Sequence, residues 1–143
     1  MGTSQTLQNP CVIALLALAT ACTTTQVNKF GEDSQPISLI CIQENERVSV
    51  DDILDVLEQG FQRHGIETRL FSGHKPEYCS YVVRYTARRS WFGVPFMRYA
   101  RLRLYQEDRT VATATYTGRF NSNPWASTKT KLDPLIDELI SQP

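Results

Sequence analysis

The chain of 143 residues lacks most of the features that announce a catalyst. It has no glycine-rich phosphate loop, no CxxC pair and no G-x-S-x-G nucleophile pattern. Its only histidines, His64 and His74, have no cysteine or serine beside them in a recognised catalytic arrangement. These absences exclude the motif-borne versions of nucleotide binding, zinc ligation and acyl transfer. No metal, no cofactor and no enzymatic activity are expected. The adjacent acids Asp51 and Asp52 are explained by a helix start, and neighbouring helix positions diverge too much for an acid/base pair. The net charge is zero, so a chain-wide basic attraction to nucleic acid is absent as well. No internal repeat occurs, and one domain is the natural count. The first 21 residues carry no charged side chain. The apolar run at 11–19 is too short to cross a bilayer, which needs roughly 20 residues.

What the chain does have is a stretch of alternating residues from Tyr78 to Gly118. Three consecutive strands are expected there, at Tyr81–Arg89, Met97–Tyr105 and Thr110–Thr117. Tyr81, Val83, Tyr85 and Ala87 alternate with Val82, Arg84, Thr86 and Arg88. Ala100, Leu102 and Leu104 alternate with Tyr99, Arg101, Arg103 and Tyr105, and Ala112, Ala114 and Tyr116 with threonines. Strand side chains point alternately to opposite faces, so one face suits a core and the other carries arginines among tyrosines and threonines. Glu107-Asp108-Arg109 is the expected turn of one hairpin. Ser90–Phe96, the other connection, is expected as an apolar loop carrying Trp91 and Phe92.

Flanking elements fit around this meander. Ile37–Ile42 is a short β-rich run, and Ile66–Phe71 another. Between them Val50, Ile53, Leu54, Leu57 and Phe61 fall on one helical stripe. Ser49 is the expected N-cap of that helix, in a capping box with Asp52. His64-Gly65 is its expected stop. Leu132, Leu135, Ile136, Leu139 and Ile140 mark a C-terminal helix, expected to run from about Ser127 and to kink at Pro134. The expected fold is therefore α+β in the order β-α-β-β-β-β-α: an antiparallel sheet of four to five strands with two helices on one face.

At the N-terminus the apolar run is followed by Ala19-Thr20-Ala21-Cys22 and then by a polar stretch with Gly31 and Pro36. This order resembles a bacterial lipoprotein signal, cut before a diacylglyceryl cysteine. Family members prefer a large aliphatic residue three positions before the cysteine; here Ala19 stands there, with Leu18 one position earlier. No basic residue precedes the run, so either the amino group supplies the positive charge or the start lies elsewhere. Met1-Gly2 with Thr6 also fits the loose myristoylation pattern, which leaves the apolar run unexplained. A buried first helix is a further alternative, opposed by the polar stretch that follows. The resemblance implies a signal peptide at 1–21, lipidation at Cys22, a tether at 22–36 and a domain at 37–143. Each buried methylene contributes about 0.8 kcal/mol, so two or more acyl chains hold firmly where one does not. Thr23 after the cysteine, where enteric inner-membrane lipoproteins carry Asp, implies the outer membrane, facing the periplasm. By topology alone, 37–143 resembles the small α+β domains of envelope lipoproteins such as the lipopolysaccharide-assembly lipoprotein.

Of the cysteines at 11, 22, 41 and 79, processing and acylation would leave Cys41 and Cys79. An exported compartment permits a disulfide. Antiparallel pairing of the first and third strands would bring the two together; two separately buried thiols are the alternative. Six arginines and no acid lie between Arg84 and Arg103, against six acids and one arginine between Glu44 and Glu58. Arg84, Arg88, Arg101 and Arg103 with Tyr99 form a candidate anion-binding face, since guanidinium forks grip phosphate and carboxylate bidentately. A solvated sheet face is the plainer alternative. The Trp91-Phe92 loop is a second candidate surface, unless its rings fold back into the core. The expected role is non-catalytic binding or assembly, with the membrane, an envelope protein or an anionic envelope glycan or lipid as partner and no nucleic acid. An envelope hydrolase with a site assembled in space is the alternative.

Overall fold

The computed structural model describes residues 36–118 and 123–142. The signal, Cys22 and the tether up to residue 35 lie outside the described residues. The elements run β1 (Leu39–Gln43), α1 (Ile53–Arg63), β2 (Glu67–Phe71), β3 (Tyr81–Phe92), β4 (Val94–Gln106), β5 (Arg109–Thr117) and α2 (Thr128–Ser141). Five strands form one sheet in the order β2-β1-β3-β4-β5. The α+β class and the element order are those expected from the sequence.

The sheet is mixed, not purely antiparallel as expected. β1 runs parallel to β2 and also parallel to β3, with Cys41 opposite Val82. The physical cause is the connections. Helix α1 carries the chain back, so that β2 starts at the same end as β1, as parallel neighbours require. The 72–80 segment then returns along the strands and crosses to the far side of β1. Only β3, β4 and β5 are joined by tight turns, and only they are antiparallel.

Alternation sorts the faces as expected. Ile40, Ile42, Val83, Tyr85, Leu102, Leu104 and Ala114 form one core with Leu57, Phe61, Leu132, Ile136 and Leu139 of the helices. Both helices therefore pack on the same face. On the opposite face Cys41, Cys79 and Val82 form a smaller cluster under Phe71 and Tyr105. Cys41 and Cys79 are bonded as a disulfide, Cα atoms 5.8 Å apart. The bridge ties the 72–80 segment to the face away from the helices. The expected pair is present, but it forms across parallel strands, with Cys79 just ahead of β3.

Two local expectations change. Ser49 does not cap α1: Asp52 occupies the N-cap, with no side-chain capping bond. Val50 is buried and its carbonyl accepts the Ile53 N–H at 3.2 Å, so a turn precedes the helix. The Asp52 carboxylate is drawn instead to the Thr128 hydroxyl, 2.8 Å away at the start of α2. Ser90–Phe96 is not a loop either. β3 and β4 stay paired out to Phe92 opposite Val94, and Gly93 alone, with φ +74°, reverses the chain. A left-handed φ of this kind favours glycine. At the other end α1 closes on Gly65, φ +72°, as expected. α2 is the longer helix, capped by Ser127, whose hydroxyl accepts the Thr130 N–H, and Pro134 lies inside it.

Candidate functional site: an arginine–tyrosine sheet face

The face of β3 and β4 away from the helices is built by parity. Arg84 stands opposite Arg103, Thr86 opposite Arg101 and Arg88 opposite Tyr99. All four arginines and Tyr99 line one concavity of about 580 Å³, together with Tyr105, Gln43, Asn45, Thr86 and one acid, Glu44, which pairs with none of the four. Trp91 and Phe92 are not part of it. They sit at the hairpin tip, 71% and 63% exposed, with Val94 beside them at 45%. Their rings are therefore in solvent and do not complete the core.

The guanidinium groups are held by the tyrosines. The Arg84 group lies 4.7 Å from the Tyr105 ring centre. Arg88 and Arg101 lie 5.8 and 5.6 Å from that of Tyr99. Cation–π contacts of this kind add roughly 0.5–1 kcal/mol at exposed sites and fix the planar groups in place. Arg84 Nε also donates to Gln43 Oε1 at 2.7 Å, and Arg101 Nε to Thr115 Oγ1 at 3.4 Å. Burial would push the Tyr105 phenol up, but hydrogen bonds from Arg103, Thr110 and Arg84 and the Arg103 charge bring it below its ordinary value. The phenol is thus set among cations. Among the described residues no carboxylate lies within ion-pair distance of these four arginines.

Arg89 and Arg98, counted with them in the sequence, are placed differently. The register shifts between Arg88 and Arg89, opposite Tyr99 and Met97, and leaves Arg98 as an extra residue. This bulge reverses the parity of β4, and Arg89 reaches Asp51 at 3.6 Å instead. Sequence reasoning left out Tyr105, although it shares the parity of Arg101 and Arg103. Gln43 and Asn45 were not recognisable, because their place depends on β1 pairing with β3.

A second hollow, of about 270 Å³, lies between the hairpin and the start of α2. Lys131, 5% exposed, lies against it and donates to the carbonyls of Pro124 at 2.7 Å and Met97 at 3.3 Å. Phe96 and Tyr116 each present a ring 5.9 Å from its amine. Burial holds the amine below the usual lysine value. Lys131 lies four residues before Leu135 and eight before Leu139, so the helical stripe was the signal for its burial.

The histidines are far from either hollow in role. His64 Nε2 lies 2.7 Å from Asp137, which also pairs with Arg63 at 2.8 Å. Asp133 joins Arg63 and Lys129 at 3.0 and 2.8 Å, so the set cross-links α1 to α2. His74 lies exposed in the 72–80 segment. Among the described residues no cluster of His, Cys, Asp or Glu could hold a metal ion. No helix among them is long and apolar enough to cross a membrane.

No family model matches the sequence. No curated protein matches it either. Among solved structures, the chain is similar to a PelC dodecamer variant from Paraburkholderia phytofirmans, at 16% identity over 73% of this chain and 84% of that one. The TM-score is 0.43. A likeness at this level bears on neither activity nor assembly.

Proposed function

We propose that this protein is a lipoprotein of the bacterial envelope, anchored through Cys22 in the outer membrane and facing the periplasm, with a non-catalytic binding or assembly role. Its ligand would be an anionic envelope glycan or lipid, or an acidic surface of an envelope protein, held on the face of Arg84, Arg88, Arg101 and Arg103. The observation that carries this reading is the set of four guanidinium groups on one sheet face with no carboxylate partner among the described residues. Like charges opposite each other cost stability in a sheet, and an anion would remove that cost. The signal-like order ending at Cys22 supports the anchor. The Cys41–Cys79 bridge is consistent with an oxidising compartment.

The test has two arms. Cells expressing the wild type or Cys22→Ser are labelled with palmitate and fractionated; the wild type should be labelled and the variant released from membranes. An unlabelled wild type and a membrane-bound variant would defeat the anchor. The Arg84→Glu/Arg101→Glu protein should elute from an acidic polysaccharide matrix at lower salt than the wild type while keeping its thermal midpoint. Unfolding of that variant would make the arginines structural.

A further inference from the structure

We infer that the arginine–tyrosine face binds a linear acidic polysaccharide laid along β3 and β4, gripping carboxylates at two separate points of one chain. The inference rests on the anion-binding reading above and narrows it. Its basis is that the four arginines are not one cluster. Arg84 and Arg103 face each other across the strands, and both reach Tyr105. Arg88 and Arg101 both stand against Tyr99. Each tyrosine thus organises a pair of guanidinium groups, and the pairs are offset along the strands.

The offset is four residues on β3, from Arg84 to Arg88, and two on β4, from Arg103 to Arg101. At about 3.3 Å per residue the two pairs are separated by roughly 7–13 Å. A single phosphate or headgroup fills one pair and leaves the other uncompensated. A chain with repeated charges fills both, and linking the two contacts raises the affinity of the second by effective concentration.

The lining between and around the pairs favours a glycan. The Gln43 amide nitrogen and the Thr86 hydroxyl offer polar groups that suit sugar hydroxyls, while the Asn45 amide is held within the fold by Tyr85 and Arg47. Tyr99 and Tyr105 hold guanidinium planes against their rings, which keeps the N–H edges of those forks in place for a chain's carboxylates. An acyl chain finds no open apolar surface here: Val83, Leu102 and Leu104 face the helices, and Val82, on the arginine face, is buried with the disulfide under Phe71 and Tyr105.

Full-length protein in a nonionic detergent is titrated with galacturonate and with its linear oligomers up to the hexamer. Inorganic phosphate, glycerol phosphate as the soluble headgroup of an anionic lipid and an oligothymidylate of similar charge serve as the other arms. The hexamer should bind on the order of a hundredfold more tightly than the monomer, as linked contacts do. Arg84→Gln/Arg103→Gln and Arg88→Gln/Arg101→Gln should each bring the hexamer down to near the monomer's affinity, with monomer binding retained at the remaining pair. Single Arg88→Gln and Arg103→Gln variants replace a double that fails to fold. Equal binding of monomer and hexamer, lost on arginine substitution, would overturn the linear-chain inference and leave the anion-binding function standing. Tighter binding of glycerol phosphate or oligothymidylate than of the hexamer would overturn the glycan in favour of that class. Failure of every anion to bind, or binding indifferent to all four arginines, would overturn both.

Discussion

Arg84 and Arg103 occupy directly opposed positions of the β3–β4 ladder, two like charges side by side on one sheet face. Such a pair costs stability, and opposed residues typically change it by roughly 0.2–1 kcal/mol. Arg103→Thr is therefore expected to stabilise the unliganded domain by about that amount in urea unfolding at low salt, less at high salt. The same substitution removes a hydrogen bond and a charge from Tyr105, so the phenol should titrate at higher pH in an ultraviolet titration. It should also weaken anion binding. A stability loss would mean that Arg103 is held by contacts within the fold.

Gly60 faces Ile136 where α1 meets α2, and a Cβ at Gly60 would overlap the Ile136 δ-methyl. Alanine is the better helix former by about 0.8–1.0 kcal/mol, whereas overpacking a core costs roughly 1–3 kcal/mol. Gly60→Ala is expected to be destabilising by up to about 2 kcal/mol on balance. Ile136→Val removes the offending methyl, so the double variant should be more stable than the sum of the singles predicts. Additivity within about 0.5 kcal/mol would show that the two positions are not in contact.

The Cys41–Cys79 bridge spans 38 residues. The chain-entropy account gives about 4 kcal/mol for a loop of this length, a large part of a domain stability of roughly 5–15 kcal/mol. Cys41→Ala/Cys79→Ala should lower the urea midpoint accordingly. Denatured, unreduced protein should show neither of these two thiols free.

Lys131 gives a pH dependence of known sign. Its folded value lies below the ordinary 10.5 because burial disfavours the charged amine. Between the folded and unfolded values the unfolded chain binds more protons, so stability rises with pH in that window. At neutral pH the charged amine is present but costly, although its two carbonyl contacts offset part of the cost. Lys131→Met leaves those carbonyls without their donor, at about 1–3 kcal/mol, and removes the slope. The wild type should gain stability relative to the variant as the pH rises toward the ordinary lysine value of 10.5. A constant difference across that range would place the amine at its ordinary value.

The antiparallel meander was legible because each of its contacts lies between neighbours in sequence. Period-two alternation in β3, β4 and β5 named both faces, and parity alone assembled Arg84, Arg88, Tyr99, Arg101 and Arg103. Strand direction was not legible in β1, whose five residues look the same in either sense. The cap of α1 was missed because Asp52 is engaged by Thr128, 76 positions away. The extent of the hairpin was missed because the extra residue at Arg98 breaks the alternation on which strand recognition depends.

The disulfide also decides what a protease can accomplish. The exposed residues Ser72, Gly73, His74, Glu77 and Tyr78 all lie between Cys41 and Cys79. A backbone cut among them opens a covalent ring without releasing a fragment, since the bridge still joins the two pieces. The sheet order leaves β2 at the edge, paired only with β1. Such a nick would let that edge and α1 loosen, while β1 remains stapled beside β3 and the meander keeps its register. The clipped molecule would run as one species until reduced, and only then separate into two.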